Sequence, residues 1–235
     1  MDERTQQHPD HPHPHGPRHA EHGHEHDHAP VTAAPAEYWD DRYRSRDRIW
    51  SGRPNPALVR VVGGLPVGRA LELGCGEGAD AVWLAAQGWQ VVAVDVSQVA
   101  LDRAAGHAAD EGVADRIEWQ RHDLGVSFPE GSYDLVTSQF LHSQAELPRE
   151  RILRRAAEAV APGGLLLIAG HAGFPEGVDG PPVHLPSTAE VRAQLRLSEA
   201  EWKVLLEEDY LHEVTDHDGH TFTRTDNVLA VRRIG

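Results

Sequence analysis

Three acids, three alternating glycines and two histidines are the residues of this chain whose types and spacing could do chemistry. The run Ala70-Leu-Glu-Leu-Gly-Cys-Gly-Glu-Gly78 leads an apolar strand into Gly74, Gly76 and Gly78. Glycines at alternate positions let the backbone turn tightly and come within contact distance of a ligand, where a Cβ would clash. The helix-like run that follows points free N–H groups and a positive dipole end at the same place. A nucleotide-like cofactor is the ligand such a loop suits. Glu72 stands two residues before the first glycine, and Asp95 and Asp123 close two further strand-like runs. A carboxylate at the end of the second strand can accept hydrogen bonds from both ribose hydroxyls. His142 and His171 stand near the ends of two later runs, where a base or a substrate contact would be needed.

The elements that must position these residues alternate β and α. The pattern predicts strands over Arg69–Leu73, Gln90–Val94 with Asp95 at its end, Arg116–Arg121, Tyr133–Ser138 and Leu165–Ala169. Their apolar runs have the length of strands buried on both faces. Helices are predicted over Glu37–Arg46, Pro56–Val62, Ala79–Gln87, from near Ser97 to Asp110, and over Arg149–Val160, stopped by Pro162-Gly163-Gly164. Ser187–Leu197 and Ser198–Leu206 also look helical, the second through the capping box Ser198-x-x-Glu201. Two strand-like runs, Glu207–Thr215 and Thr221–Arg232, surround the hairpin signal Asp218-Gly219.

Which cofactor the loop holds is a question of neighbouring chemistry. Gly74, Gly76 and Ala79 also satisfy a loose dinucleotide pattern. The chain, however, has one lysine, Lys203, and no Tyr-x-x-x-Lys pair, so the acid/base pair of a short-chain dehydrogenase is missing. A phosphate loop with lysine after its last glycine is excluded for the same reason. With Glu72-Leu-Gly-Cys-Gly-Glu-Gly78 as its first motif, Asp95 ending strand 2 and Asp123 ending strand 3, the chain resembles the class I S-adenosylmethionine-dependent methyltransferases. The resemblance covers residues 36–235.

The resemblance implies one Rossmann-like α/β domain, with a mostly parallel seven-stranded sheet, an antiparallel last strand and helices on both faces. It implies S-adenosyl-L-methionine as the cofactor. The cofactor residues it points to are Glu72, Gly74, Cys75, Gly76, Gly78, Asp95, Val96, Asp123, Leu124, Gln139 and Trp50. Cys75, between motif glycines, reads as a small filler rather than a nucleophile. After strand 4 the chain reads Ser138-Gln-Phe-Leu-His142, without the Asn/Asp-Pro-Pro-Tyr of enzymes that methylate nucleobase amines. His142 and His171 are therefore the candidate catalytic bases, with a structural histidine near 142 as the alternative. The cluster Tyr38-Trp-Asp-Asp-Arg-Tyr43 with Trp50 is similar to the thiopurine, thiol and halide methyltransferases and their tellurite-resistance relatives. In those enzymes the segment covers the cofactor and shapes the substrate pocket.

Composition narrows the partners. Net charge is −15, of which residues 1–35 contribute −4 (two Arg against six acids), leaving −11 on the remainder. So acidic a surface repels phosphate backbones, which argues against nucleic acid and for a small-molecule acceptor. The single cysteine fits a reducing cytosol, and no apolar run reaches membrane-spanning length. Residues 1–35 hold nine histidines among Pro, Gly, Asp and Glu, a composition that reads as a disordered tail. The division expected is thus a tail over 1–35, lid helices over 36–66 and a core over 67–235. Alternating histidines could gather a transition metal, but no four-ligand spacing is present, and no metal site is assigned. Two further readings stay open: a metal- or metalloid-handling protein that uses the tail, and a cofactor-binding domain without catalysis.

Overall fold

A computed structural model describes residues 32–173, 185–215 and 221–235. The histidines of the N-terminal tail and the Asp218-Gly219 turn lie outside the described residues. Seven strands form one sheet in the order β3-β2-β1-β4-β5-β7-β6. They are β1 Arg69–Leu73, β2 Gln90–Asp95, β3 Ile117–Arg121, β4 Tyr133–Gln139, β5 Val160–His171, β6 Trp202–Thr215 and β7 Thr221–Arg233. The first five pair in parallel, and β7 runs antiparallel between β5 and β6. The helices are α1 Pro35–Arg44, α2 Pro56–Val62, α3 Ala79–Ala86, α4 Gln98–Asp110, α5 Arg149–Glu158 and α6 Thr188–Leu195.

The apolar runs explain the layering. Along β5, Leu165, Leu167 and Ala169 enter one core cluster while Leu166 and Ile168 enter the other. Both faces of the strand are therefore covered, as a parallel sheet under crossover helices requires. Burying one such leucine or isoleucine contributes about 1.5–3 kcal/mol. A register shift between Tyr133 and Leu135 in β4 accompanies a change of side, Tyr133 packing in one cluster and Leu135 in the other. Strand order reverses between β1 and β4, and that switch opens a crevice at the carboxyl ends of the parallel strands. The carboxyl ends of β1, β2, β4 and β5 and the loops after β1, β2, β3 and β4 carry the residues singled out above, Trp50 apart.

Two predicted elements differ. Ser198–Leu206 is not a helix: one turn forms, with the Glu201 and Trp202 N–H groups on the Ser198 carbonyl, and then β6 begins at Trp202. Local capping chemistry starts a turn there, but pairing of Trp202, Lys203 and Val204 with Arg233, Arg232 and Val231 wins the segment. The complete capping box sits one helix earlier, where the Ser187 side chain accepts the Glu190 N–H and Glu190 bonds back to Ser187. The second difference is that α5 stops at Glu158 and β5 already starts at Val160, so Pro162-Gly163-Gly164 lies inside the strand. Gly164 is pressed there against the Asp134 carbonyl, where a Cβ would lie 3.0 Å from it.

Candidate active site

The glycine loop is built by its neighbours on β2. The Gly74 and Cys75 N–H groups donate to the Val94 carbonyl, and the Gly76 N–H donates to Asp95 Oδ2 at 2.9 Å. The other oxygen of Asp95 accepts the Ser97 N–H at 2.9 Å. Gly78, at φ +82°, is the residue before α3, and a Cβ on it would lie 2.7 Å from Ala104 Cβ on α4. Only glycine fits there.

Three carboxylates converge on this loop from inside the protein. Glu72, Asp80 and Asp95 are all buried. Burial pushes Glu72 well above the usual carboxyl range, and the charges of Asp80 and Asp95 push it further. Burial also raises Asp80 against two bonds from Asn55, and raises Asp95 against its backbone N–H bonds. Glu72 Oε2 has no partner among the described residues. An acidic, water-poor pocket of this kind has an uncompensated demand for positive charge. Cys75 is buried among these acids and its thiol is pushed well up, first by burial, which makes it a poor thiolate.

The N-terminal segment lies across the loop. A Cβ on Gly76 would be 2.9 Å from Tyr43 Oη and 3.2 Å from Trp50 Nε1, so this aromatic pair faces the cradle. Trp50 Nε1 donates to Tyr43 Oη at 2.9 Å. Glu77, between the last two glycines of the motif, accepts the Ile49 and Trp50 N–H groups and the Arg103 guanidinium. Arg103 also holds the carbonyls of Tyr43 and Arg46. Asp40 on α1 accepts from Ser97 Oγ at 2.6 Å, and Asn55 donates twice to Asp80. The segment is thus fastened to the loop after β1 and to the head of α4 by charge-assisted bonds.

Beyond β2 the other cofactor candidates spread along the sheet edge. Val96 offers its carbonyl to Arg121, and Asp123 Oδ1 accepts the Gly125 N–H at 2.9 Å. Leu124 is buried in the core. At the end of β4, Gln139 donates to Thr137 Oγ1, while its Oε1 and the Ser138 hydroxyl are buried without partners among the described residues.

The two histidines come together. Their rings stack at 5.3 Å with 8° between planes, and the His171 N–H donates to His142 Nε2 at 3.1 Å. Burial, with the charges of Arg149 and His171, pulls His142 down to about 4, so it is neutral at physiological pH. His171 Nδ1 lies 2.8 Å from Asp226 Oδ1, and Arg224 grips both oxygens of Asp226. Sequence reasoning missed Asp226, Arg224, Glu77, Asp80 and Arg149. The acid at 226 is 55 residues from its histidine and carries no local signal. Glu77 stood inside the motif but shows its role only through long-range bonds.

A family described as Methyltransferase domain matches residues 70–164. Those residues form a methyltransferase domain, as the resemblance to the class I S-adenosylmethionine-dependent methyltransferases implies. It is 32% identical over 149 residues to 2-heptyl-1-hydroxyquinolin-4(1H)-one methyltransferase of Mycobacteroides abscessus, covering 60% of this chain and 65% of the relative. Over 118 residues it is 37% identical to ribosomal RNA small subunit methyltransferase C of Chromohalobacter salexigens, covering 48% and 34%. A probable thiol methyltransferase 2 of Arabidopsis thaliana is 30% identical over 134 residues, covering 55% and 59%. The chain therefore spans less than two thirds of the length of these curated relatives.

Among solved structures, one described under conversion of a disulfide bond into a thioacetal group during echinomycin biosynthesis has a TM-score of 0.67 at 24% identity, covering 86% of this chain and 92% of that one. N-methyltransferase NodS from Bradyrhizobium japonicum, with S-adenosyl-L-homocysteine, has a TM-score of 0.57 at 18% identity, covering 85% and 99%. Both share the fold. S-adenosylmethionine is the cofactor of the methyltransferase family, and the residues present fit it. The buried carboxylates suit a cationic sulfonium and ammonium, whereas they would repel the pyrophosphate of a dinucleotide.

Proposed function

We propose that this protein transfers a methyl group from S-adenosylmethionine to a heteroatom of a small molecule. The observation that carries the reading is the trio Glu72, Asp80 and Asp95, buried around a glycine loop with no cation to offset it among the described residues. S-adenosylmethionine supplies an electrophilic methyl carried by a sulfonium. Glu72, Gly74, Cys75, Gly76 and Gly78 would border its methionine end, with Asp95 and Val96 at the ribose, and Asp123 and Leu124 at the adenine. Gln139 and Trp50 would close the remaining sides. The protein's task is then to hold acceptor, methyl and sulfur in line and to keep water out.

Segment 36–66 acts as the lid in this reading, through Tyr43 and Trp50. It is tied to the acceptor side as well, since Trp39 Nε1 donates to Ser143 Oγ at 3.1 Å. His142 and His171 face the acceptor from the ends of β4 and β5. A net charge of −15 supports a small molecule over an RNA, although relatives of both kinds exist. The buried lone cysteine supports a cytosolic location. Among the described residues no helix is long and apolar enough to cross a membrane, and no group of side chains could hold a metal.

The test is calorimetric titration with S-adenosylmethionine and with NAD, each in two buffers of different ionisation enthalpy. The expected result is binding of the sulfonium compound alone with release of protons, because a cation lowers the raised carboxylates. Its affinity should then tighten as pH rises. Preference for NAD, or proton uptake, would overturn the assignment. Product analysis with thiols, N-hydroxyquinolones and a ribosomal RNA fragment then decides the acceptor, and methylation of the RNA alone would refute the small-molecule reading.

A further inference from the structure

The antiparallel pairing of β7 with β5 sets Asp226 directly opposite His171. Asp226 has a fully buried side chain, and His171 keeps 31% of its own exposed. The 2.8 Å bond places Asp226 Oδ1 on His171 Nδ1, and Arg224 forks onto the same carboxylate at 2.9 and 3.0 Å. Burial alone would raise Asp226, but the bonds from His171 and Arg224 outweigh it and hold the carboxyl below its usual range. An ionised carboxylate on Nδ1 fixes the proton there and leaves the Nε2 lone pair to the exposed edge of the ring. The ring itself is held between Phe140, at 4.6 Å, and the parallel ring of His142.

The two histidines are therefore unlike. His142 spends Nε2 on a backbone N–H, whereas His171 spends Nδ1 on a carboxylate. Among the described residues, the charged and titratable groups around His171 include His142, Asp226, Arg224, Arg149 at the head of α5, and Tyr210 on β6 beside Asp226 and Arg224.

We propose that His171 is the general base for an acceptor that arrives with its proton, a hydroxyl, thiol or N-hydroxyl, and that Asp226 is the residue that positions it. This rests on the methyl-transfer reading above. The acceptor X–H bond breaks and its proton passes to His171 Nε2. The electron pair on X forms the bond to the methyl carbon, and the sulfur–methyl pair returns to sulfur, turning the sulfonium into a neutral thioether. The imidazolium so formed faces Asp226 across the existing bond, which stabilises it at the moment charge develops. An acceptor already ionised in solution needs none of this.

The experiment pairs two probes with S-adenosylmethionine: 4-methylphenol, which is protonated at neutral pH, and 4-nitrothiophenol, which is ionised. His171→Ala should lose roughly 10²- to 10⁴-fold in kcat/KM on the phenol, with little change on the thiolate. Asp226→Asn should fall between wild type and His171→Ala on the phenol only, and Asp226→Glu should recover part of the loss. Calorimetric affinity for S-adenosylmethionine should be unchanged in all three, which also shows that they fold. Independently of turnover, ¹⁵N NMR of the wild type should show His171 with its proton on Nδ1, and Asp226→Asn should mix the two tautomers. Equal losses on both probes, or a proton on Nε2 in the wild type, would overturn the dyad. Wild type that binds the cofactor yet methylates neither probe would instead overturn the methyl-transfer reading to these acceptors, and the dyad's role with it.

Discussion

The carboxyl edge of the sheet has two ends of opposite character. At the ends of β1 and β2 the buried carboxyl groups Glu72, Asp80 and Asp95 have no cationic partner among the described residues. At the ends of β4, β5 and β7 the charged and titratable groups are mixed, with Asp226 gripped by Arg224 and His171, and Arg149 beside a neutral His142. Orphaned polar atoms occur at both, Glu72 Oε2 on one side and Ser138 Oγ, Gln139 Oε1 and Arg149 Nε on the other. In the proposed function the difference follows from what each end would have to do. A cofactor of constant structure and positive charge can be met by a fixed acidic cradle. An acceptor that must give up a proton needs groups that receive it and steady the result.

Substitutions can separate the two ends. The largest effect should come from Gly78→Ala, which puts a Cβ 2.7 Å from Ala104 at a φ of +82°. The left-handed backbone alone costs about 1–2 kcal/mol. The neighbour is a helix that cannot give way, so cofactor binding should be lost and the melting temperature lowered in a thermal scan. Undiminished binding would mean that the loop is not the cradle. Next, Asp95→Ala should weaken S-adenosylmethionine by about 10- to 100-fold, the equivalent of a charge-assisted hydrogen bond worth roughly 1.5–3 kcal/mol. Calorimetry reads it directly, and an unchanged affinity would remove Asp95 from the site.

A smaller effect lies at the acceptor end and depends on pH. His142 titrates near 4 in the folded protein against an ordinary 6.5. Between those values the unfolded chain binds a proton that the folded one refuses, so the histidine's contribution to stability rises with pH in that window. Glu72, Asp80 and Asp95, whose carboxyls burial raises, act with the opposite sign above the ordinary carboxyl range, so the readout is the difference between proteins: as pH drops from about 6.5 toward about 4, His142→Gln should lose less urea midpoint than wild type. Asp226, held below its ordinary 3.8, acts in a more acidic range and cannot mimic the effect. The smallest change is Ser138→Ala. Its hydroxyl is buried without a partner among the described residues, so stability should be unchanged or slightly improved and cofactor affinity untouched. Only acceptor turnover should respond, and a loss of cofactor affinity instead would blur the division between the ends.

Much of the fold is legible in the chain because parallel strands buried on both faces are nearly continuous apolar runs, as in Leu165–Ala169 and Gln90–Val94. Misread segments are those where a local signal competes with a distant partner. Ser198 and Glu201 begin a helix-like turn, yet β7 recruits Trp202 onward into the sheet. Pro162-Gly163-Gly164 looks like a terminator, yet β5 runs through it.

The cofactor end shows the same division in reverse. Glu72, the glycines and Asp95 lie within one βαβ unit, where spacing along the chain dictates spacing in space, and so the sequence by itself determined the family and the cofactor. Tertiary structure alone decided that Glu77 and Arg103 fasten the N-terminal segment, that His142 and His171 stack, and that Asp226 bonds His171. Those contacts join residues from 27 to 60 positions apart. No local pattern encodes them, because their geometry exists only once the strands have paired.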